Sequence, residues 1–204
     1  MRTRHSLSSP FLTAGVAVLL AGCTGTRVAR IAPEQTVDIS GDWNDTDSRL
    51  VADTMIADAL TDRWQHDFLQ AHSGDRPVVV VGHVQNRSTE HINTQTFVQD
   101  MVRAFVRSGA VRVVASGEQR ADVQAEVNTQ QSNAAADTRA QAGAAQGANF
   151  QLSGVINTIF DQEGGKAVKY YQVDLQLVNL QTQELVWTGQ KKIKKFVQRS
   201  GYRP

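Results

Sequence analysis

Apolar and polar positions follow three regimes along the chain. From Val51 to Phe68 the spacing is helical: Ala52, Ile56, Leu60, Trp64 and Phe68 recur every fourth residue, with Val51, Met55 and Ala59 beside them. This predicts one long helix. An acidic segment, Asp42-Trp43-Asn44-Asp45-Thr46-Asp47-Ser48, leads into it. Asp45, Thr46 or Ser48 caps the first free N–H groups, and the carboxylates complement the helix dipole. A calcium loop is the competing reading of this run. It lacks the glycine and bidentate glutamate of an EF-hand, so capping is preferred.

The second regime mixes strand and helix. Pro77 to Val84 contains a continuous β-branched run, Val78-Val79-Val80-Val81, which suits a strand buried on both faces. Asn86-Arg87-Ser88 turns the chain, and Thr94 caps a second helix in which Phe97, Met101 and Phe105 pair with Val98, Val102 and Val106. Gly109 ends that helix, and Val111 to Ala115 forms a short strand. Strand–helix–strand in this order predicts parallel strands with a right-handed crossover. Gly117 to Gly147 is rich in Ala and Gln. It reads as two weak helices broken near Ser132-Asn133, or as a loop with too little apolar area to offset ordering entropy.

The last third alternates with period two. Phe150, Leu152 and Ile156 define one strand with Gly154 in the same register, and Gly164-Gly165 turns it. Tyr171, Val173, Leu175 and Leu177 run along the next strand, Gln181-Thr182-Gln183 turns again, and Leu185, Trp187 and Ile193 mark the last. The fold class expected is α+β: a single domain with a mixed, mostly antiparallel β-sheet flanked by helices.

The N-terminus changes the compartment. Arg2, Arg4 and His5 precede a short apolar run, Phe11 to Leu20, which ends in Leu20-Ala21-Gly22-Cys23. Cys23 is the only cysteine in the chain. This is the pattern of a bacterial lipoprotein signal, too short for a permanent span. Residues 1–22 are then the signal peptide and 23–38 a lipidated cysteine and short tether, with the globular domain at 39–204. Cys23 takes a diacylglyceryl group on its sulfur. Each buried CH2 contributes about 0.8 kcal/mol, so two or three acyl chains anchor stably. Thr24, in place of an aspartate, favours the outer membrane, with the domain facing the periplasm. Fully extended, the 15 residue-to-residue steps from Cys23 to Asp38 reach only about 50 Å.

Charge is uneven beneath a formal net of +1. Residues 24–165 hold 11 basic against 18 acidic side chains, and residues 166–204 hold 8 against 2. Near-neutrality of the mature chain and an extracytoplasmic destination exclude a nucleic-acid role. Lys191, Lys192, Lys194 and Lys195 guard a sheet edge, or Lys192 and Lys194, on one strand face, bind a partner. No active-site motif is present, and the histidines His66, His72, His83 and His91 lack the close pairing of zinc ligands. Ser153 has no evident base. The expected protein is a non-enzyme with no cofactor and no metal, and a monomer is favoured.

Three blocks carry a family resemblance. They are Gly41-Asp42-Trp43-Asn44-Asp45-Thr46-Asp47-Ser48-Arg49; Gly147-Ala148-Asn149-Phe150-Gln151-Leu152-Ser153-Gly154; and Tyr170 to Leu180 with Glu184-Leu185-Val186-Trp187. With the lipobox, these resemble the LpoB family of lipoprotein activators over roughly residues 39–196. The resemblance implies a fold similar to the TolB N-terminal domain. It also implies a non-catalytic regulator of peptidoglycan synthesis that binds the docking domain of a bifunctional class A penicillin-binding protein. Well-known members carry a long Pro-rich tether that this chain lacks. The alternatives are a curli-secretion-like subunit and a structural envelope lipoprotein without a synthase partner. A spanning hairpin would need apolar outer positions, whereas Gln172, Asp174 and Gln176 make that face polar.

Overall fold

The computed structural model describes residues 28–198, so Cys23 and the signal segment lie outside the described residues. Residues 28–37 form no helix or strand and are exposed. The compact folded unit begins at Glu34.

Four helices and five strands follow in the order α1 (Asp45–Thr61), α2 (Arg63–Ala71), β1 (Val78–Asn86), α3 (Thr94–Ser108), β2 (Arg112–Val114), α4 (Gly117–Asn133), β3 (Phe150–Glu163), β4 (Lys166–Asn179) and β5 (Leu185–Gln198). They build one mixed sheet of order β2-β1-β3-β4-β5. β1 runs parallel to both β2 and β3, whereas β3, β4 and β5 form the expected antiparallel meander. Gly164 (φ 54°) and Gly165 (φ 79°) supply the left-handed conformations of a two-residue hairpin turn that pairs Glu163 with Lys166.

Where the structure departs from the sequence reading, local chemistry explains the difference. The expected long helix is two. Asp62 leaves helical geometry at ψ 164°, its carboxylate accepts from the Arg63 N–H, and Trp64 Nε1 donates 2.6 Å to the Ala59 carbonyl. The cap of α1 is Asn44, one residue ahead of the expected set. Its side chain accepts from Asp47 N at 3.1 Å, while Asp47 accepts from Asn44 N at 3.0 Å, a reciprocal capping box. Asn93 rather than Thr94 caps α3, and Gly109 ends it at φ 65° as expected. Of the two weak helices after Gly117, only α4 forms. None of its described side chains is buried, and residues 134–149 contain turns but no helix.

α1, α2 and α3 cover one face of the sheet. The core there joins Val51, Met55 and Ile56 of α1, Phe97, Met101 and Phe105 of α3, and the inward register Leu152, Ile156, Tyr171, Val173, Leu175, Leu177 and Trp187. Trp187 Nε1 donates 3.2 Å to Asp58, which ties β5 to α1. Asn149 exchanges hydrogen bonds with Val78: its N–H donates to the Val78 carbonyl at 2.8 Å, and its side-chain oxygen accepts from Val78 N at 2.9 Å. The side chain of Asn179 receives Gln181 N and Thr182 N in the β4–β5 turn. The quoted motif residues Asn44, Asp47, Asn149, Asn179 and Trp187 therefore fix helix start, strand pairing and turn.

Candidate functional site

Alternation along the meander sends every second side chain to the face that α1, α2 and α3 leave open. Its rows read, from centre to tip, Ser153–Gln176–Thr188, Val155–Asp174–Gln190, Asn157–Gln172–Lys192, Ile159–Tyr170–Lys194 and Asp161–Val168–Phe196. The centre is a concavity of about 540 Å³ whose lining includes His83, Gln85, Arg87, Asp174, Gln176 and Gln190. Asp174 accepts from Gln172 at 2.9 Å and from Gln190 at 2.8 Å, so its charge is already met by amide donors. Lys192 and Lys194 are exposed one and two rows beyond, toward the tip.

The lysine run does not act as one edge guard. β5 is an edge strand, but its pleat divides the four residues between two faces. Lys191 and Lys195 share the covered side with Ile193 and are half-buried; Lys192 and Lys194 point the other way. Lys195, with a side chain only 12% exposed, bonds Asp38 at 2.8 Å, Asp47 at 2.6 Å and the Asp42 carbonyl at 3.1 Å. Lys169, beside it on β4, pairs with Asp42 and lies 2.8 Å from Glu90. Both Glu90 oxygens lie within 2.8 Å of the Tyr171 hydroxyl, which donates to that carboxylate, and Trp43 N donates to it at 3.1 Å.

The acidic segment is thus clasped to the meander. Trp43 completes the joint, with its ring edge-on to Phe97 and Tyr171 and its Nε1 donating 2.8 Å to Ser48. Burial, then the Glu90 carboxylate, raises the Tyr171 phenol above its ordinary range. Burial pulls the Lys195 ammonium down, but hydrogen bonds to Asp38 and Asp47 outweigh it and hold it above its ordinary value. The Lys195 hydrogen bond lowers Asp38. Sequence reasoning missed Glu90. The available signal was Tyr171, Lys169 and Lys195 in one inward register, because a buried hydroxyl and two inward ammonium groups require acceptors.

Among the described residues, the polar side chains of this face bond mainly to one another. Ser153, His83 and Asp174 line the same concavity. Yet the Ser153 hydroxyl meets only Gln176 Nε2, at 3.4 Å, among the described contacts. Among the described residues, no group of three His, Cys, Asp or Glu side chains is placed to hold a metal, and no helix is long and apolar enough to cross a membrane. The meander is thus a helix-backed sheet whose open face is polar at its centre.

The particular family follows from the sequence. The model of the family described as peptidoglycan-synthase activator LpoB matches residues 47–193, and the chain belongs to that family. No curated protein matches the chain. Among solved structures, it is similar to the LpoB C-terminal domain from Salmonella enterica, at 17% identity and a TM-score of 0.40, over 75% of this chain and 99% of that one. The LpoB C-terminal domain from Escherichia coli matches at 16% identity and a TM-score of 0.41, over 73% and 99%. The Escherichia coli LpoB NMR structure matches at 14% and 0.40, over 92% and 91%.

Proposed function

We propose that this chain is an outer-membrane-anchored, periplasm-facing lipoprotein that binds a bifunctional class A penicillin-binding protein and raises its synthesis of peptidoglycan. Membership of the synthase-activator family carries the reading. The protein acts by contact and turns over no substrate of its own, in keeping with a central concavity whose polar groups are paired with one another. The folded domain, captured on beads and exposed to envelope extract, is expected to retain a penicillin-labelled synthase. Adding it to that synthase should raise glycan polymerisation, whereas the domain alone should leave lipid-linked precursor intact. Failure to retain any penicillin-labelled protein would reject the proposal.

The contact surface proposed is the open sheet face with Lys192 and Lys194 at its basic end. Opposite charge on a partner mainly accelerates encounter and is screened over about 10 Å at 0.1 M salt. Lys192→Glu with Lys194→Glu should slow association by about tenfold and invert its salt dependence. Both side chains are exposed and make no internal ion pair among the described residues, so the melting temperature should shift by less than about 2 °C. Unaltered association kinetics in the double variant would leave these lysines with edge protection alone.

Anchoring is proposed at Cys23. Cys23→Ser removes the only thiol, and with it the site of the acyl chains. The expected product is an uncleaved or mislocalised precursor that takes up no labelled palmitate. Normal acylation and outer-membrane sorting of the variant would place the anchor elsewhere.

A further inference from the structure

We propose that the cleft between α2 and the β4–β5 turn is a docking site for a short segment of a partner protein in which an aliphatic or aromatic side chain stands beside lysine or arginine. The cleft lies where β3 and β5 begin and β4 ends, at the opposite end of the meander from the Gly164-Gly165 hairpin. Its volume of about 710 Å³ falls in the range of sites that enclose a ligand.

Local chemistry builds both walls. The break at Asp62 sets α2 apart from α1, and Trp64 is the buried side chain of α2. Its ring stands edge-on to Phe150 with 5.1 Å between centres, and Phe68, one turn later, stands edge-on to the same ring at 5.4 Å. Together these rings give the cleft an apolar floor. On the other side β5 begins irregularly. Leu177 pairs with Trp187 but Val178 pairs with Leu185, so Val186 is an extra residue in the ladder. A bulge re-aims side chains. Leu185 and Val186 both line the cleft, where regular alternation would send them to opposite faces. Leu185 remains 59% exposed.

Charge selects the occupant. Asp62 and Asp67 stand on the α2 side and Glu184 on the turn side, against Arg63. Among the described residues, none of these three carboxylates takes part in an ion pair. Asp62 accepts from the Arg63 backbone N–H and Glu184 from the Thr182 hydroxyl at 2.8 Å, and neither donor neutralises a charge. Acids on both sides of an aromatic floor match a segment whose apolar side chain is flanked by cations. The apolar group covers the rings, and the ammonium or guanidinium groups meet the carboxylates. An acidic segment is turned away, because like charges would face each other. Neither Cys23 nor the open sheet face takes part, so docking here does not depend on the activator reading.

The test uses the mature-length chain carrying Cys23→Ser, so that no acyl chain competes for the cleft. It is titrated with the capped peptide Gly-Lys-Leu-Phe-Lys-Gly and with two controls, one carrying Glu for both Lys and one carrying Ala-Ala for Leu-Phe. The first peptide should bind, and each control should bind at least about tenfold more weakly. Amide NMR shifts should be confined to α2, Glu184–Val186 and the Trp64 indole N–H, and leave Lys192 and Lys194 unmoved. Asp67→Lys with Glu184→Lys should weaken the lysine peptide by about tenfold and admit the glutamate peptide. Leu185→Ser should weaken the lysine peptide by about fivefold. Because all three side chains are exposed, the circular dichroism spectrum should not change. No binding of the lysine peptide, equal binding of the lysine and glutamate peptides, shifts centred on the open sheet face, or unchanged binding by both variants would overturn the proposal. So would self-association of the unaltered chain that Asp67→Lys with Glu184→Lys abolishes, which would assign the cleft to a second copy.

Discussion

Gly154→Val is expected to cost about 3 kcal/mol and to lower the melting temperature by about 6–12 °C. Strand propensity alone argues the other way, because valine suits a strand better than glycine. The cost comes from space. Gly154 sits on a central strand, paired with Val84 on one side and Leu175 on the other. A Cβ there points into the covered face and meets the Asp174 carbonyl oxygen and Leu175 Cδ2. The carbonyl belongs to a paired strand and cannot swing aside as a side-chain end would. Gly117→Ala is the matched control, since an added Cβ meets nothing within 4 Å in the first turn of α4. It should change stability by less than about 0.5 kcal/mol. A Gly154→Val protein that melts within a few degrees of the unaltered chain would show that the strand pair relaxes more freely than its ladder suggests.

Lys195→Ala is expected to remove about 3 kcal/mol, because Asp47, with a side chain 8% exposed, loses its cation. Lys192→Ala, three residues earlier on the opposite face, should remove less than about 0.5 kcal/mol. The pair distinguishes inward from outward positions within one basic run. The clasp also predicts an alkaline transition. Lys195 is held above its ordinary 10.5 and Tyr171 above its ordinary 10.0. Both contributions are fully present below those values and are lost as pH rises through the higher folded values. The unaltered domain should hold its melting temperature up to about pH 10 and lose it beyond. The Lys195→Ala chain should start lower and fall less, because one of the alkaline contributions is gone while Tyr171 remains. On the acid side Asp38 is lowered, so its contribution is present above its ordinary 3.8 and lost as pH falls through the folded value. Melting curves from pH 8 to pH 12 read the alkaline arm. Parallel alkaline slopes in the two proteins would remove Lys195 from the account.

Elements with strong periodicity were legible. The meander, the β-branched strand and the helix ended by Gly109 all rest on patterns repeated over many residues, so one dissenting position cannot disguise them. What was not legible depends on single side chains choosing between near-equal local partners. Asp62 breaks a helix that the four-residue spacing continues, because its carboxylate accepts from the Arg63 N–H. Asn44 and Asn93 each precede plausible capping residues, and either neighbour satisfies the same rule. On the candidate face, Lys192 and Lys194 were legible because alternation assigns them outward. The clasp was not, since Glu90 lies 79 residues from Lys169 and 81 from Tyr171 in sequence. No local pattern joins residues that far apart.

The segment that carries α4 has a consequence for how such chains diverge. It joins β2 to β3, which lie on either side of β1 and run parallel to it, so it must return along the sheet and pass one intervening strand, a crossover that about a dozen residues can make. Thirty-five residues, 115–149, occupy that crossover, and none of the described side chains in α4 is buried. Closing a flexible connection costs only about 0.6 kcal/mol more for each doubling of its length. Natural selection acting on the sheet therefore exerts little hold on the length of this crossing. Deletions and insertions should accumulate here before anywhere else in the domain, and two relatives can differ widely in residue count while keeping the same hydrogen-bonded frame.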